Sequence, residues 1–149
     1  MVKESKKTKN SVNISNRKAS YEYHLLDEFD CGIKLIGSEV KSIRENGASI
    51  SDAYCYVNNG EVFVKGMHIS ELKNAEPHEP LRERKLLLTK KEIRKIVVEL
   101  KNTGLTLIPT VLFNKKGLMK LKIRLAKGKK LFDKRESIKA RDIKRNDGL

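Results

Sequence analysis

Residues 118–125 read Leu-Met-Lys-Leu-Lys-Ile-Arg-Leu, and from Met119 onwards apolar and basic side chains alternate strictly. Successive side chains of a β-strand point to opposite faces of the sheet, so this period of two predicts a strand. One face packs into a core, and the other presents a basic row, formed by Lys120, Lys122 and Arg124. The preceding apolar run from Leu105 to Phe113 predicts the partner strand. Pro109 interrupts that run and predicts a bulge or a sheet edge.

A second pair of strands is predicted nearer the middle of the chain. Residues Ala48 to Tyr56 and Glu61 to Met67 favour a hairpin, because the intervening Asn58-Asn59-Gly60 holds residues that tolerate a positive φ. Upstream, residues 21–29 and 31–36 predict a first strand and its continuation. Asp30 and Gly32, at the junction of these two segments, predict a turn or a bulge.

Two helices are predicted between the strands. The first runs from Gly37 to Arg44, with Ser38 as its N-cap and with Lys41 and Arg44 projecting together from one side. The second begins at a capping box formed by Thr89 and Glu92. Its apolar face recurs at helical spacing, in Ile93, Ile96, Val97 and Leu100, and Gly104 is expected to act as its C-cap glycine.

Several short antiparallel strands with few helices predict a mainly β fold with attached helices. We expect a small closed or partly closed antiparallel barrel, because closure removes most of the unpaired strand edges. Such a barrel suits the binding of an oligonucleotide. An open α+β sheet is the alternative.

The charge of the chain points to a polyanionic partner. Among 149 residues, 33 Lys and Arg oppose 19 Asp and Glu, a formal net charge of +14. RNA, DNA or an anionic membrane surface could attract such a protein. No apolar run approaches the roughly 20 residues of a membrane span, and no secretory signal is recognised, so we expect a cytoplasmic protein. Cys31 and Cys55 lack metal-site spacing and are expected to be buried thiols.

The C-terminal segment, residues 127–149, has a composition of its own. It holds nine Lys and Arg against four Asp and Glu, and its large apolar residues are too sparse for a packed helix. Asp133 and Glu136 have the form of a capping box, which predicts a helix from Lys134 to about Arg145. We expect this segment to be disordered alone and helical against an anionic surface.

No catalytic constellation is recognised. Asp27, Glu28 and Asp30 could suggest a metal-dependent nuclease, but adjacent strand residues point to opposite faces and do not obviously converge. The three histidines have no zinc-site spacing, and no phosphate-binding glycine loop is present. We therefore expect a binding protein, with no cofactor and no metal, and not an enzyme.

Four segments together resemble a known family. They are Asn16 to Ala19, Gly37 to Arg44, Arg82 to Leu88, and Lys127 to Glu136, and they occur in the order of the signature blocks of small protein B, the SsrA-binding protein family. The similarity extends from about Asn13 to Arg145. It implies a disordered basic N-terminal arm over residues 1–12, an RNA-binding barrel of the oligonucleotide-binding (OB) type over residues 13–126, and a basic tail over residues 127–149.

The resemblance also implies a function in bacterial trans-translation. Members of the family bind the tRNA-like domain of transfer-messenger RNA and bring it to the stalled 70S ribosome for rescue and peptide tagging. The tail becomes helical in the empty mRNA channel, at the small-subunit decoding centre. Elongation factor Tu with GTP and alanyl-tRNA synthetase take part through the RNA. No membrane partner is implied, and the protein itself catalyses nothing.

Individual positions match the functional residues of the family. Those implied to face the tRNA-like domain are Asn16, Arg17, Lys18, Asp30, Lys41, Arg44 and Leu87. Those implied to act on the ribosome are Lys127, Gly128, Lys129, Lys130, Phe132, Asp133, Lys134 and Arg135. The chain departs from the family at Asp30, where many members have Glu. At Phe132 the family varies among aromatic residues and histidine.

Two other functions are compatible with the residues alone. A general or ribosomal RNA-binding protein would account for the net charge, and would discriminate poorly among structured RNAs. The nuclease based on Asp27, Glu28 and Asp30 would require a divalent metal ion.

Overall fold

The computed structural model describes residues 11–101 and 104–129. These residues contain seven strands and three helices. The strands are β1 (Asn13–Ser15), β2 (Tyr23–Ile33), β3 (Tyr54–Asn58), β4 (Glu61–Lys65), β5 (Arg84–Leu87), β6 (Leu105–Lys115) and β7 (Leu118–Gly128). The helices are α1 (Arg17–Glu22), α2 (Gly37–Asn46) and α3 (Lys90–Leu100). None of these helices is long and apolar enough to cross a membrane.

The strands form a ring. Their order is β1-β6-β3-β4-β5-β2-β7, every pairing is antiparallel, and β6 also pairs with β7. The circuit through β6, β3, β4, β5, β2 and β7 is therefore closed, and the short β1 joins it at β6. The expectation of a mainly β, antiparallel fold with attached helices is confirmed, and an open sheet does not fit this circuit.

The core lies inside the ring. In β7 the alternating apolar side chains, those of Met119, Leu121, Ile123 and Leu125, are all buried, as their period predicts. They pack with inward residues of the other strands and with Ile96, the one fully buried residue of α3. The hydrophobic effect of burying this face stabilises the ring, and it directs the alternate, polar side chains outwards.

The β3–β4 hairpin and the β6–β7 pairing are confirmed, but the first arm of the hairpin begins at Tyr54 and not at Ala48 as predicted. Asn59 and Gly60 form the β3–β4 turn with φ values of 52° and 76°, which suit Asn and Gly. In β6 the register with β7 shifts between Pro109 and Val111. The predicted bulge at the proline is therefore confirmed.

The first predicted strand needs correction. The strand was expected over residues 21–29 and 31–36, but Tyr21 and Glu22 belong to α1, and β2 runs from Tyr23 to Ile33. The turn or bulge expected at Asp30 and Gly32 is wrong, since both residues stay in register with β7. The irregularity of β2 lies between Leu25 and Glu28. Nothing in the apolar pattern indicated α1, because Ala19 is its only buried residue.

The helix ends also differ in part from expectation. Ser38 lies inside α2 and is not its N-cap; the Ile36 amide precedes the helix and donates to Glu39 Oε1 at 3.0 Å. The capping box of α3 is confirmed, because the Glu92 amide donates to Thr89 Oγ1 at 3.2 Å and the Thr89 amide donates to Glu92 Oε1 at 3.0 Å. Gly104 is not the C-cap, since α3 ends at Leu100.

Candidate nucleic-acid interface

Asp30 and Leu87 are brought together on the outer surface of the ring. Gly32 of β2 pairs with Leu87 of β5, and Asp30 lies two residues before Gly32 on the same face of β2. Leu87 is 52% exposed although its side chain is apolar. An exposed leucine next to a carboxylate, with basic residues nearby, offers both an apolar contact and a hydrogen-bond acceptor to an RNA.

The predicted basic row on β7 is partly neutralised by β2. Lys122 Nζ lies 3.7 Å from Glu28 Oε1 and 4.0 Å from Asp30 Oδ1. Arg124 Nε donates to the backbone oxygen of Leu26 at 2.9 Å. Both side chains are therefore held by β2, but only the charge of Lys122 is offset by carboxylates, since the Leu26 oxygen is neutral.

Helix α2 presents Lys41 and Arg44 to solvent, as expected. Arg44 Nη2 donates to the Gly117 oxygen, at the turn between β6 and β7, over 3.5 Å. That turn precedes Lys120, which pairs with Gly32. Arg44 and Leu87 therefore lie toward the same end of the ring.

A buried ionic cluster fixes α2 to β5. Glu39 of α2 and Arg84 of β5 are both fully buried, and Arg84 Nε donates to Glu39 Oε2 at 2.6 Å. Arg82 Nη2 donates to Glu39 Oε1, also at 2.6 Å. Arg84 further donates to the backbone oxygens of Met67 at 2.7 Å and Pro80 at 3.2 Å. The carboxylate and the buried guanidinium thus have the several partners that charged groups need in a core.

The protonation state of Glu39 follows from this cluster. Burial by itself raises the pKa of the Glu39 carboxyl, but hydrogen bonds from Arg82, the Ile36 amide and Arg84 outweigh it, so the pKa lies below its usual value. The carboxylate therefore stays charged at neutral pH and continues to hold both arginines.

Asn16 is an internal anchor in this structure. The residue is 9% exposed, and its side-chain Nδ2 donates to the backbone oxygens of Pro109 at 3.0 Å and Ile50 at 3.4 Å. Its backbone amide donates to the Thr110 oxygen at 2.7 Å. Asn16 therefore fastens the start of α1 to the bulge of β6. Its implied contact with RNA stays a prediction.

Arg17 and Lys18 are exposed beside this anchor, and Lys18 Nζ lies 3.7 Å from Asp52 Oδ1. The anchor is at Thr110, five residues before the end of β6 at Lys115, which is roughly 17 Å along a strand. Asn16 to Lys18 therefore lie away from the turn that Arg44 contacts. Asp30 is level with the Asn16 anchor, because it pairs with Lys122, and Lys122 pairs with Val111.

The implied tail residues begin within the ring. Lys127 and Gly128 belong to β7 and pair with His24 and Tyr23 of β2, and the Lys129 amide donates to the Glu22 oxygen at 2.9 Å. The predicted helix from Lys134 lies outside the described residues. So do the remaining implied tail residues, which are Lys130, Phe132, Asp133, Lys134 and Arg135.

The carboxylates of the nuclease hypothesis face lysines. Asp27 Oδ2 lies 3.1 Å from Lys95 Nζ, and Glu28 and Asp30 share Lys122. Among residues 11–101 and 104–129, no group of three His, Cys, Asp or Glu side chains is placed to hold a metal ion. The arrangement of these carboxylates therefore does not support the nuclease hypothesis.

The two cysteines are both buried, as expected. Burial raises the pKa of the Cys31 thiol to about 12, and the charges of Glu92 and Asp30 add to the shift. Burial, with a smaller contribution from Cys31, also raises the pKa of Cys55. Both thiols are protonated at neutral pH, which makes them poor nucleophiles and poor metal ligands.

Two features of the interface were not recognised in the sequence. The ionic partners of Glu39 come from residues 43 and 45 positions away, so no local pattern pointed to them. Gly32 was recognised as unusual, but the interpretation as a turn or bulge was wrong. A glycine inside a strand can also indicate that another chain segment approaches closely, and Gly32 could have been interpreted in this way from the sequence.

Comparison with known proteins agrees with this architecture. The family profile described as "SmpB protein" matches residues 13–148. The SsrA-binding protein of Christiangramia forsetii is 54% identical over 140 residues, which cover 92% of this chain and 89% of the relative. The SsrA-binding protein of Thermosipho africanus is 47% identical over 137 residues, covering 90% of this chain and 92% of the relative.

A solved structure shares the fold. It is described as "tmRNA-SmpB: a journey to the center of the bacterial ribosome", and its chain aligns with a TM-score of 0.68 at 32% identity, covering 85% of this chain and 94% of its own length. The family match spans both the ring and the basic C-terminal segment. The chain therefore belongs to the SmpB family of SsrA-binding proteins.

Proposed function

We propose that this protein binds the tRNA-like domain of transfer-messenger RNA and delivers it to stalled ribosomes for trans-translation, without catalysing a reaction itself. The observation that carries the proposal is the family match over residues 13–148, which includes the ring and the basic tail together. Relatives of about 50% identity named as SsrA-binding proteins support it, because SsrA is transfer-messenger RNA.

In this proposal the ring is an OB-type barrel that reads the RNA. The exposed Leu87, the neighbouring Asp30, and Lys41 and Arg44 of α2 form the principal contact surface, and Arg17 and Lys18 add contacts beside the Asn16 anchor. Single-stranded and loop regions of RNA are recognised through phosphates, ribose and exposed bases. A surface that combines basic, acidic and apolar side chains suits this recognition better than a uniformly basic surface would.

In this proposal the tail binds the ribosome. Its excess of Lys and Arg suits the RNA of the small subunit, and we place it in the empty mRNA channel next to the decoding centre of the stalled 70S ribosome. A helix from Lys134 to about Arg145 would form there. Elongation factor Tu with GTP and alanyl-tRNA synthetase act on the same RNA, so they meet this protein through it, in the cytoplasm.

The first experiment measures binding to an isolated tRNA-like domain of transfer-messenger RNA across a salt series, with an elongator tRNA as competitor. We expect tight binding that excess elongator tRNA does not displace, because the exposed surface of the ring reads more than phosphate charge. The slope of log affinity against log salt reports the number of phosphates contacted, at about 0.7–0.9 per phosphate.

Equal affinity for both RNAs, together with a steep slope, would instead support the general RNA-binding protein. That protein would recognise charge without discriminating between structured RNAs. RNA cleavage that depends on magnesium or manganese would revive the nuclease hypothesis.

A further inference from the structure

Gly32 occupies a position where the backbone does not require glycine. It lies inside β2 and pairs with Leu87 of β5 on one side and with Lys120 of β7 on the other. Its φ is not positive, unlike that of Gly66 or Gly117. A glycine inside a strand lowers strand stability, because it packs no side chain and loses more backbone entropy on folding. The limited space beside the Gly32 Cα must therefore explain why glycine occurs at this position.

That space is taken by Leu87. A Cβ atom at position 32 would lie 3.3 Å from Leu87 Cβ, 3.4 Å from its Cδ1 and 3.8 Å from its Cγ. The first distance is shorter than an ordinary contact between carbon atoms, and because Leu87 Cβ is fixed to the backbone, residue 87 as a whole would have to shift by a few tenths of an ångström. Leu87 therefore lies directly over Gly32 while about half of its surface faces solvent.

The seam between β2 and β5 determines the direction in which Leu87 would move. The two strands share two residue pairs, Gly32 with Leu87 and Ile33 with Leu86. Leu86 is 1% exposed and is fixed by the core, whereas the Leu87 side chain has open solvent on its outer side. A Cβ at position 32 would therefore shift the backbone at Leu87 slightly and tilt its exposed side chain outwards.

We infer that Gly32 is a positioning residue, whose missing side chain lets Leu87 lie low against the β2–β5 seam in the orientation that contacts the RNA. The inference rests on the proposed function, and in particular on the contact of Leu87 with the tRNA-like domain. It identifies a residue that determines affinity without itself touching the RNA.

The test replaces Gly32 by Ala in the full-length protein. We expect affinity for the isolated tRNA-like domain to fall about three- to tenfold, because an apolar contact is misplaced. The log–log salt slope should not change, because no phosphate contact is lost. The unfolding temperature should change by no more than a few degrees, because the preference of a strand for alanine over glycine opposes the cost of the close contact with Leu87.

The matched control is Gly37→Ala. Gly37 also has a φ outside the positive range, and a Cβ there would meet nothing within 4 Å. This control should keep the affinity of the unaltered protein. In ¹³C-methyl NMR spectra of the free protein, the Leu87 methyl resonances should shift in the Gly32 variant and not in the Gly37 variant.

A double-mutant cycle separates positioning from general damage. If Gly32 acts through Leu87, the Gly32→Ala, Leu87→Ala double variant should bind no more weakly than Leu87→Ala alone. Additive losses would overturn the inference, and so would an unchanged affinity of Gly32→Ala when Leu87→Ala binds weakly. Normal binding by Leu87→Ala would show that Leu87 does not contribute to RNA binding, and it would therefore also overturn the inference. If the unaltered protein does not prefer the tRNA-like domain, the proposed function itself fails.

Discussion

Glu39 connects α2 to β5 through a buried ionic contact. It is fully buried, and it accepts hydrogen bonds from two arginines and a backbone amide. A buried ion pair adds little net stability compared with an apolar core, but breaking it leaves an uncompensated charge. In this protein that charge would be Arg84, which is itself fully buried. Loss of the carboxylate would therefore affect both α2 and β5.

Replacing Glu39 by Gln should lower the free energy of unfolding by about 3–5 kcal/mol at pH 7, because buried Arg84 loses its counter-charge. The pH dependence should change as well. The pKa of Glu39 is lowered in the folded protein, so its stabilisation is present above the ordinary Glu pKa and is lost as pH falls through the lowered value. The Glu39→Gln variant should not show this loss of stability at low pH, because it has no carboxyl group at position 39 to protonate. Urea unfolding between pH 7 and pH 3 measures both effects.

The matched control for this prediction is Glu45→Gln, which removes an exposed carboxylate from the same helix. We expect it to change stability by no more than about 0.5 kcal/mol. Equal losses in the two variants would mean that helix charge, and not the buried cluster, stabilises α2.

Residues whose partners are close in sequence were the ones that could be predicted. The capping box of Thr89 and Glu92 was identified because its two members are three residues apart. Glu39 and Gly32 were not understood, because Arg84 and Leu87 reach them only after the ring has formed. Tertiary packing decided the role of both residues, and no local pattern carries that information.

At the scale of elements, the period of the apolar pattern was informative where elements are long. The alternation of β7 and the helical spacing of α3 predicted both correctly. The three-residue β1 was not predicted, and α1 buries a single residue, so neither has enough apolar positions for a period. Short elements of this kind are held by tertiary contacts such as those of Asn16.

In the proposed function, helix α2 positions Lys41 and Arg44 for contact with the RNA. Substitution of Lys41 tests this role. If Lys41 contacts phosphate, Lys41→Ala should weaken binding to the tRNA-like domain and reduce the log–log salt slope by about 0.7–0.9. The measurement is the affinity of the full-length variant across a salt series. Folding should not change, because Lys41 is exposed.

Lys65→Ala removes the same charge from β4, whose Lys65 is also exposed and is not among the implied contacts. It should leave the slope nearly unchanged. A similar reduction in both variants would indicate attraction by overall charge, with no defined role for α2.

At the scale of the whole molecule, the closure of the ring was the expectation hardest to derive from pattern alone. Closure depends on β2 pairing with both β5 and β7, and on β6 pairing with both β3 and β7. Some of these contacts join residues about a hundred positions apart, such as Arg124 with Leu26. The sequence indicated which segments are strands, but register and closure follow from packing the whole core at once.

The division between ring and tail leads to the last prediction. A chain that stops after Lys129 keeps all of β7 and the hydrogen bond from the Lys129 amide to Glu22. It should therefore melt like the full-length protein and bind the tRNA-like domain with little loss. It should fail to support peptide tagging in translation of a message without a stop codon, because the proposed function requires residues 130–149 in the mRNA channel.

A chain in which residues 130–149 are present in scrambled order is the matched control, since it keeps the length and charge of the tail. If the tail acts as a specific helix starting near Asp133, this control should also fail in tagging while binding RNA normally. Tagging by the scrambled chain would show that charge alone is sufficient, because the scrambled order removes the capping box. Tagging by the truncated chain would assign ribosome engagement to the ring.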